Sequence, residues 1–460
     1  MSAATPSVLR DRFLVDYFQL AAVNVISNLM VPLAGLIGVA FLGHLSDLSD
    51  LAGVALASIL FSYLYHALSF LRMSTTGVVA QAIGRDDEAA ALSIALRNGA
   101  IALILGVVVL ACHRPLGHWG LMLLSAPADV KVAALDYFNA RIWAAPVALF
   151  NFVLIGWLLG LKKGTRVLVM TATATAVHVL LDYFAIARWG WGSAGAGFSA
   201  AVSQYVVFGL GLVLSLQEIA WGQVRALLPE IVNWQAARET LLLNRDLFFR
   251  TIFTKSTFSA FTALSATLGT EVLAENALLL EVVTLAIYFI DGPCFATETF
   301  AGIAHGRGAR EQLRRIVQVA AGTCLLLGLS FALAFVLFPR TLFGLLTDHQ
   351  EITDAIALYT HWLVPLLVLG SLAFMLDGYF LGLAEGRALR NAVIIASLGG
   401  FAPLAIAAWH WHNVHLLWGA LCAFMGVRAI VLGSQLGPSL ALPESVPAIL
   451  PSVEVVSPKS

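Results

Sequence analysis

Leu273–Gly306, LAENALLLEVVTLAIYFIDGPCFATETFAGIAHG, decides how this chain folds. It exceeds the ~20 apolar residues needed to cross a bilayer, yet it carries Glu281, Asp291 and Glu298. At ~100° per residue, Thr284, Asp291, Glu298 and His305 recur every seventh position and share one narrow helical stripe. A carboxylate at membrane depth is costly unless it faces protein, water or an ion. Pro293, after Asp291 and Gly292, removes a backbone donor and predicts a break or kink. For one acid, pairing with a neighbouring Arg or Lys explains its presence equally well. Two acids, a His and a Pro–Gly break on one stripe favour an ion or proton site.

Composition extends this reading to the whole chain. Of 460 residues, 60% are hydrophobic and 12% charged, against roughly 25% charged in soluble domains. Mean hydropathy is +0.87, which excludes two or three soluble domains and points to a polytopic helical membrane protein. The formal net charge of −1 and the absence of a Lys/Arg run argue against nucleic acid as a partner. Cys112, Cys294, Cys324 and Cys422 sit singly in apolar context, without metal or disulfide spacing, and read as core residues. The amino end lacks the pattern of a cleavable signal. The Pro- and Ser-rich residues 437–460 read as a disordered tail.

Twelve apolar segments follow one another: roughly 14–43, 51–83, 93–113, 132–161, 167–187, 194–216, 246–268, 273–304, 316–338, 355–384, 389–409 and 414–435. One set of loops holds Arg85, Lys162, Lys163, Arg166, Arg307, Arg310, Arg314, Arg315, Arg387 and Arg390. The alternate set holds Arg114, Lys131, Arg188 and Arg340. The positive-inside rule therefore puts the first set and both termini in the cytoplasm. A polar connection at 217–245 divides six segments at 13–216 from six at 246–436.

The halves resemble each other. Tyr137 and Tyr359, Gly160 and Gly382, and Gly164 and Gly386 are each separated by 222 positions, as are Ala82 and Ala304, Gly84 and Gly306. Halves with an even number of spans share orientation. The expected fold is therefore an all-α polytopic membrane protein of 12 transmembrane helices, forming two six-helix lobes related by a pseudo-two-fold axis along the membrane normal. This repeat plan is common in secondary transporters, although channels and membrane enzymes can be duplicated too.

The residues able to carry chemistry lie within the spans. His178 and Asp182 in AVHVLLDYF are four apart and stack on one helical face, as a proton-relay or cation-binding pair or as a structural pair near the membrane edge. Asp377 lies deep in FMLDGYFLG. Arg72, Arg250 and Lys255 are candidate partners for intramembrane acids, with Lys255–Glu281 and Arg250–Asp377 as possible pairs. Tyr288 shares the acidic segment with Asp291 and Glu298 as a cavity-lining candidate. No phosphate-binding Gly loop, His/Cys metal cluster or nucleophile elbow is present in the sequence, so no enzymatic activity, metal or cofactor is expected.

Taken together, Pro32–Leu45, FLRMSTTGVVAQAIG at Phe70–Gly84, RIWAAPVALFNFVLIGWLLGLKK, HVLLDYF and ENALLLEVVTLAIYFIDG resemble the multidrug and toxic compound extrusion (MATE) family, in its DinF-like branch. The resemblance runs from about Phe13 to Leu436. It implies two six-helix lobes forming a V around a central cavity. It also implies an antiporter that exports organic, cationic or amphipathic compounds in exchange for H⁺ or Na⁺ by alternating access, as a monomer in the cell membrane. The family's first-lobe coupling Asp falls on Gly38. Its segment-five Asn/Asp pair falls on His178 and Asp182, and a polar segment-six position on Ala200, next to Ser199. Gly offers no ligand, so loss of that carboxylate weakens the case for Na⁺ and favours H⁺. It leaves Asp291 and Glu298 as candidates to couple through the second lobe. Two alternatives stay open: a lipid-linked precursor flippase, disfavoured by mainly acidic cavity candidates, and a non-transporting scaffold or sensor, which Gly38 supports.

Overall fold

A computed structural model of the chain describes residues 6–44, 48–122, 124, 126–219, 233–344 and 355–441. Its regular elements are all helical. In chain order they are α1 Pro6–Gly43, α2 Leu48–Leu68, α3 Phe70–Gly84, α4 Glu88–Ala111, α5 His113–Met122, α6 Ala128–Arg141, α7 Ala145–Gly160, α8 Gly164–Asp182 and α9 Gly192–Leu216. They continue as α10 Trp234–Leu268, α11 Thr270–Gly306, α12 Arg310–Leu337, α13 Pro339–Phe343, α14 Leu363–Gly382, α15 Gly386–Ile395, α16 Ala402–Trp411 and α17 Val414–Leu440. Wider π-helical turns continue α8 through Tyr183–Arg188 and join α15 to α16 through Ala396–Phe401.

Among the described residues, eleven stretches are long and apolar enough to cross a membrane. They match eleven of the twelve expected segments. The remaining one, expected at 246–268, is α10, a 35-residue helix whose Arg245, Asp246, Arg250 and Lys255 dilute its apolar character. Side chains such as Leu36, Leu326 and Ile430 stay 67–71% exposed, as expected of faces solvated by lipid and not by water.

Several expectations need correcting. Pro293 does not end its helix, because α11 runs unbroken for 37 residues. The carbonyl of Pro293 accepts hydrogen bonds from the Thr297 and Tyr17 hydroxyls, at 2.8 and 3.1 Å, whereas the carbonyl that loses its donor to the proline is that of Phe289, four residues earlier. Cys112 is exposed just beyond α4, whereas Cys294, Cys324 and Cys422 are buried as anticipated. Cys294 and Cys324 are not solitary, since their sulfurs lie 4.0 Å apart. In addition, α10 begins at Trp234, inside the connection placed at 217–245, and α17 continues to Leu440, past position 437. Residues 220–232 and 442–460 lie outside the described residues.

Two compact units emerge. Among the described residues, one holds the chain up to Val25 together with everything from Leu242 to 441, and the other holds Ile26–Leu241. The first part of α1 goes with the later half because Tyr17 bonds Pro293 and Thr297, and Phe13 packs edge-on against Phe300 at 5.5 Å.

Inside each unit the same helix crossing recurs. A Cβ on Gly156 would lie 2.6 Å from the Arg72 carbonyl oxygen, and one on Gly160 would lie 2.6 Å from Val79 and 3.1 Å from the Thr76 carbonyl. A Cβ on Gly378 would lie 2.5 Å from the Cys294 carbonyl, and one on Gly382 would collide with that of Glu298. Every member of this set is shifted by the repeat interval of 222: Gly156 to Gly378, Gly160 to Gly382, Arg72 to Cys294 and Thr76 to Glu298. The repeat is thus a repeated packing geometry, α7 on α3 and α14 on α11, with backbones held close by paired glycines.

Candidate functional sites in the two units

In the unit Ile26–Leu241, α8 carries both members of the His/Asp pair. Asp182 is 1% exposed, and its Oδ2 lies 3.5 Å from His178 Nε2. The Ser199 hydroxyl on α9 lies within hydrogen-bonding reach of the same carboxylate, so Ser199 supplies the polar group beside the buried Ala200. Oδ1 of Asp182 has no hydrogen-bond partner among the described residues. Gly38 completes the site from α1: a Cβ there would stand 3.0 Å from Asp182 Oδ2. A carboxylate at position 38 would therefore face Asp182 directly. The Thr175 hydroxyl, donating to the Met30 carbonyl at 3.1 Å, helps tie α8 to α1.

In the other unit, α11 presents the acidic stripe with graded burial. Thr284 is exposed, Asp291 half-buried, His305 7% exposed and Glu298 fully buried. Tyr288 lies between Glu281 and Asp291, close enough to feel both charges. Asp377 on α14 is 2% exposed and held by two arginines. Arg250 Nε donates to Oδ2 at 3.0 Å and Arg428 Nε to Oδ1 at 3.1 Å, with further terminal N–H contacts from both. Phe374 lies under the Arg428 guanidinium at 5.3 Å. Asp291 and Glu298 both interact with the charge of Arg250, and Asp291 also with that of Arg428. Three carboxylates against two guanidiniums leave this cluster a formal −1 (2 − 3 = −1). Removing one partner of such a buried group typically costs about 3–5 kcal/mol.

The anticipated Arg250–Asp377 pair therefore forms. Lys255 and Glu281 form no ion pair among the described residues; Glu281 is exposed and Lys255 half-buried. Arg72 is half-buried near the start of α3. Arg428 is not among the residues singled out from the sequence; the signal for it is an arginine inside the apolar run VHLLWGALCAFMGVRAIVLG, which requires a buried partner. Among the described residues no group of three or more His, Cys, Asp or Glu side chains is arranged to hold a metal ion.

Membrane-length helices in two repeated halves, with ionisable side chains buried inside the spans, define the class: a polytopic helical membrane protein with the repeat plan of secondary transporters. The MatE family model matches residues 24–184 and 247–406. DNA damage-inducible protein F of Escherichia coli (strain K12) is 30% identical over 91% of this chain and 90% of its own length. A probable multidrug resistance protein NorM from Synechococcus is 25% identical over 90% of each chain. The fold matches the Vibrio cholerae MATE transporter VcmN in its bent form, with a TM-score of 0.81 at 18% identity over 94% of this chain and 97% of that one. The chain belongs to the MATE family and is accordingly a multi-pass membrane transporter, not an enzyme.

Proposed function

We propose that this chain is a proton-coupled antiporter that exports organic amphipathic compounds, organic cations among them, by alternating access. It would act as a monomer in the cell membrane, with both termini in the cytoplasm. The observation that carries this reading is the burial of acids inside spans, where a carboxylate without a task is selected against. Asp182, with His178 and Ser199, would bind and release the first unit's proton. Asp291 and Glu298, beside Arg250, would serve as the second unit's titrating pair, with Tyr288 at its edge. Asp377 is the least available of the acids for exchange, being held by Arg250 and Arg428. The multidrug-resistance names of relatives support organic cargo, and the gap at Gly38 favours H⁺ over Na⁺.

The test is efflux of a fluorescent amphiphile from everted vesicles under an imposed pH gradient, comparing wild type with Asp182→Asn, Asp291→Asn and Glu298→Gln. Each variant is expected to reach the membrane and lose at least about tenfold in gradient-driven rate. Full rates in Asp291→Asn and Glu298→Gln would remove the second unit from the coupling mechanism, and a full rate in Asp182→Asn would remove the first. A wild type indifferent to the gradient would favour a scaffold.

A further inference from the structure

Arg141 is half-buried in the unit Ile26–Leu241, and among the described residues no carboxylate holds it as Asp377 holds Arg250 and Arg428. It closes α6 thirteen residues into the 33-residue span Ala128–Gly160 (141 − 128 = 13), about 20 Å along the helix at ~1.5 Å per residue. A 3₁₀ turn, Ile142–Ala144, follows it. Its guanidinium lies 4.5 Å from the centre of the Phe61 ring, 5.6 Å from that of Tyr137 and 5.7 Å from that of Tyr65. One N–H donates to the Tyr137 hydroxyl at 2.5 Å. Phe61 and Tyr137 are buried and fix the cage, and His178 is close enough to feel the charge. Among the described residues no carboxylate pairs with Arg141, and its remaining N–H groups are neither bonded to protein nor sealed from the surroundings.

Three aromatic faces around a positive charge are the usual means of recognising an organic cation. Here that place is filled by a tethered guanidinium. A mid-span cation without a counter-ion is costly, and ring faces repay only part of the cost. A guanidinium with open N–H groups is shaped to take a carboxylate through two parallel hydrogen bonds.

We propose that Arg141 is the recognition residue of an anion subsite in the unit Ile26–Leu241, and that it binds the carboxylate of an amphipathic organic acid or zwitterion. The apolar body of such a compound would lie along Tyr65 and Phe152, whose rings meet edge-on at 6.4 Å. The proposal rests on the transport reading above and narrows its cargo to amphiphiles that carry an acid group. It reverses, for this unit, the expectation from sequence that acidic cavity residues disfavour anions.

Binding to the purified full-length protein tests it without any ion gradient. Two probes share one fluorophore: dansyl-aminohexanoate and a dansyl-hexyl trimethylammonium. The wild type is expected to bind the carboxylate probe at least about tenfold more tightly than the ammonium probe. Arg141→Gln is expected to lose at least about tenfold in carboxylate affinity, in keeping with a charged hydrogen-bond pair, while ammonium binding is kept. Arg141→Lys should retain part of the carboxylate affinity, having the charge but not the fork. Equal or tighter ammonium binding by wild type overturns the proposal, as does unchanged carboxylate affinity in Arg141→Gln. If Arg141→Gln elutes as an aggregate, the wild-type ratio decides alone. A protein that binds the carboxylate probe but exchanges nothing under a gradient sinks the antiport reading and leaves this one standing.

Discussion

At the scale of single residues, the first unit's site turns on one missing side chain. Gly38 places nothing where a Cβ would approach Asp182 Oδ2 to 3.0 Å. Two carboxylates that close cannot both stay charged without a shared proton or a bound cation. Gly38→Asp is therefore expected to confer Na⁺ binding at least about tenfold tighter than that of the wild type, measured as radiolabelled sodium retained by purified protein. Unchanged sodium affinity in a folded variant would mean that position 38 no longer faces a competent site. The residue types of this site were legible in the sequence, because a His and an Asp four apart on a helix must share a face. The bond between Asp377 and Arg250 was foreseeable only as one of several pairings, since 127 residues separate the partners. Arg428 entered the same cluster unannounced.

At the scale of elements, α11 shows how local rules yield to packing. Gly292 and Pro293 predict a break, yet both are buried in a continuous helix. The Tyr17 and Thr297 hydroxyls converge on the Pro293 carbonyl, and Tyr17 comes from 276 residues away in sequence. The repeated glycines do the opposite work, in that their lack of a side chain matters only because another backbone is present. Gly382→Val should lower the apparent melting temperature of the detergent-purified protein by several degrees, since its Cβ would meet the Glu298 carbonyl. Gly160→Val, at the equivalent position, should do so comparably. Gly399→Val is the control, because a Cβ there meets nothing within 4 Å. Equal melting temperatures for all three would show that these crossings do not limit stability.

At the scale of the whole molecule, architecture is duplicated and chemistry is not. The interval of 222 carries Gly156 and Gly160 onto Gly378 and Gly382, but it carries Asp182 onto Leu404, Arg141 onto Leu363 and Glu298 back onto Thr76. Each unit therefore has its own charge arrangement, with a single acid beside His178 in one and a five-membered cluster of formal −1 in the other. With no pair of carboxylates at position 38 and Asp182 to hold sodium, efflux from vesicles is expected to persist when sodium is replaced by potassium. It should stop when nigericin collapses the pH gradient. Dependence on sodium with indifference to pH would overturn the proton assignment.

The sequence by itself determined the solvent of this protein, the helical kind of its elements and their division into related halves. Hydropathy, helical period and a fixed repeat interval are local or additive properties that a chain displays before it folds. Tertiary structure alone decided which groups meet: that Asp377 is held between two arginines, that the Tyr17 hydroxyl reaches the Pro293 carbonyl of α11, and that Arg141 sits in an aromatic cage with no carboxylate partner among the described residues. Such partnerships join residues tens to hundreds of positions apart. They depend on packing at the ångström scale, which no periodicity encodes.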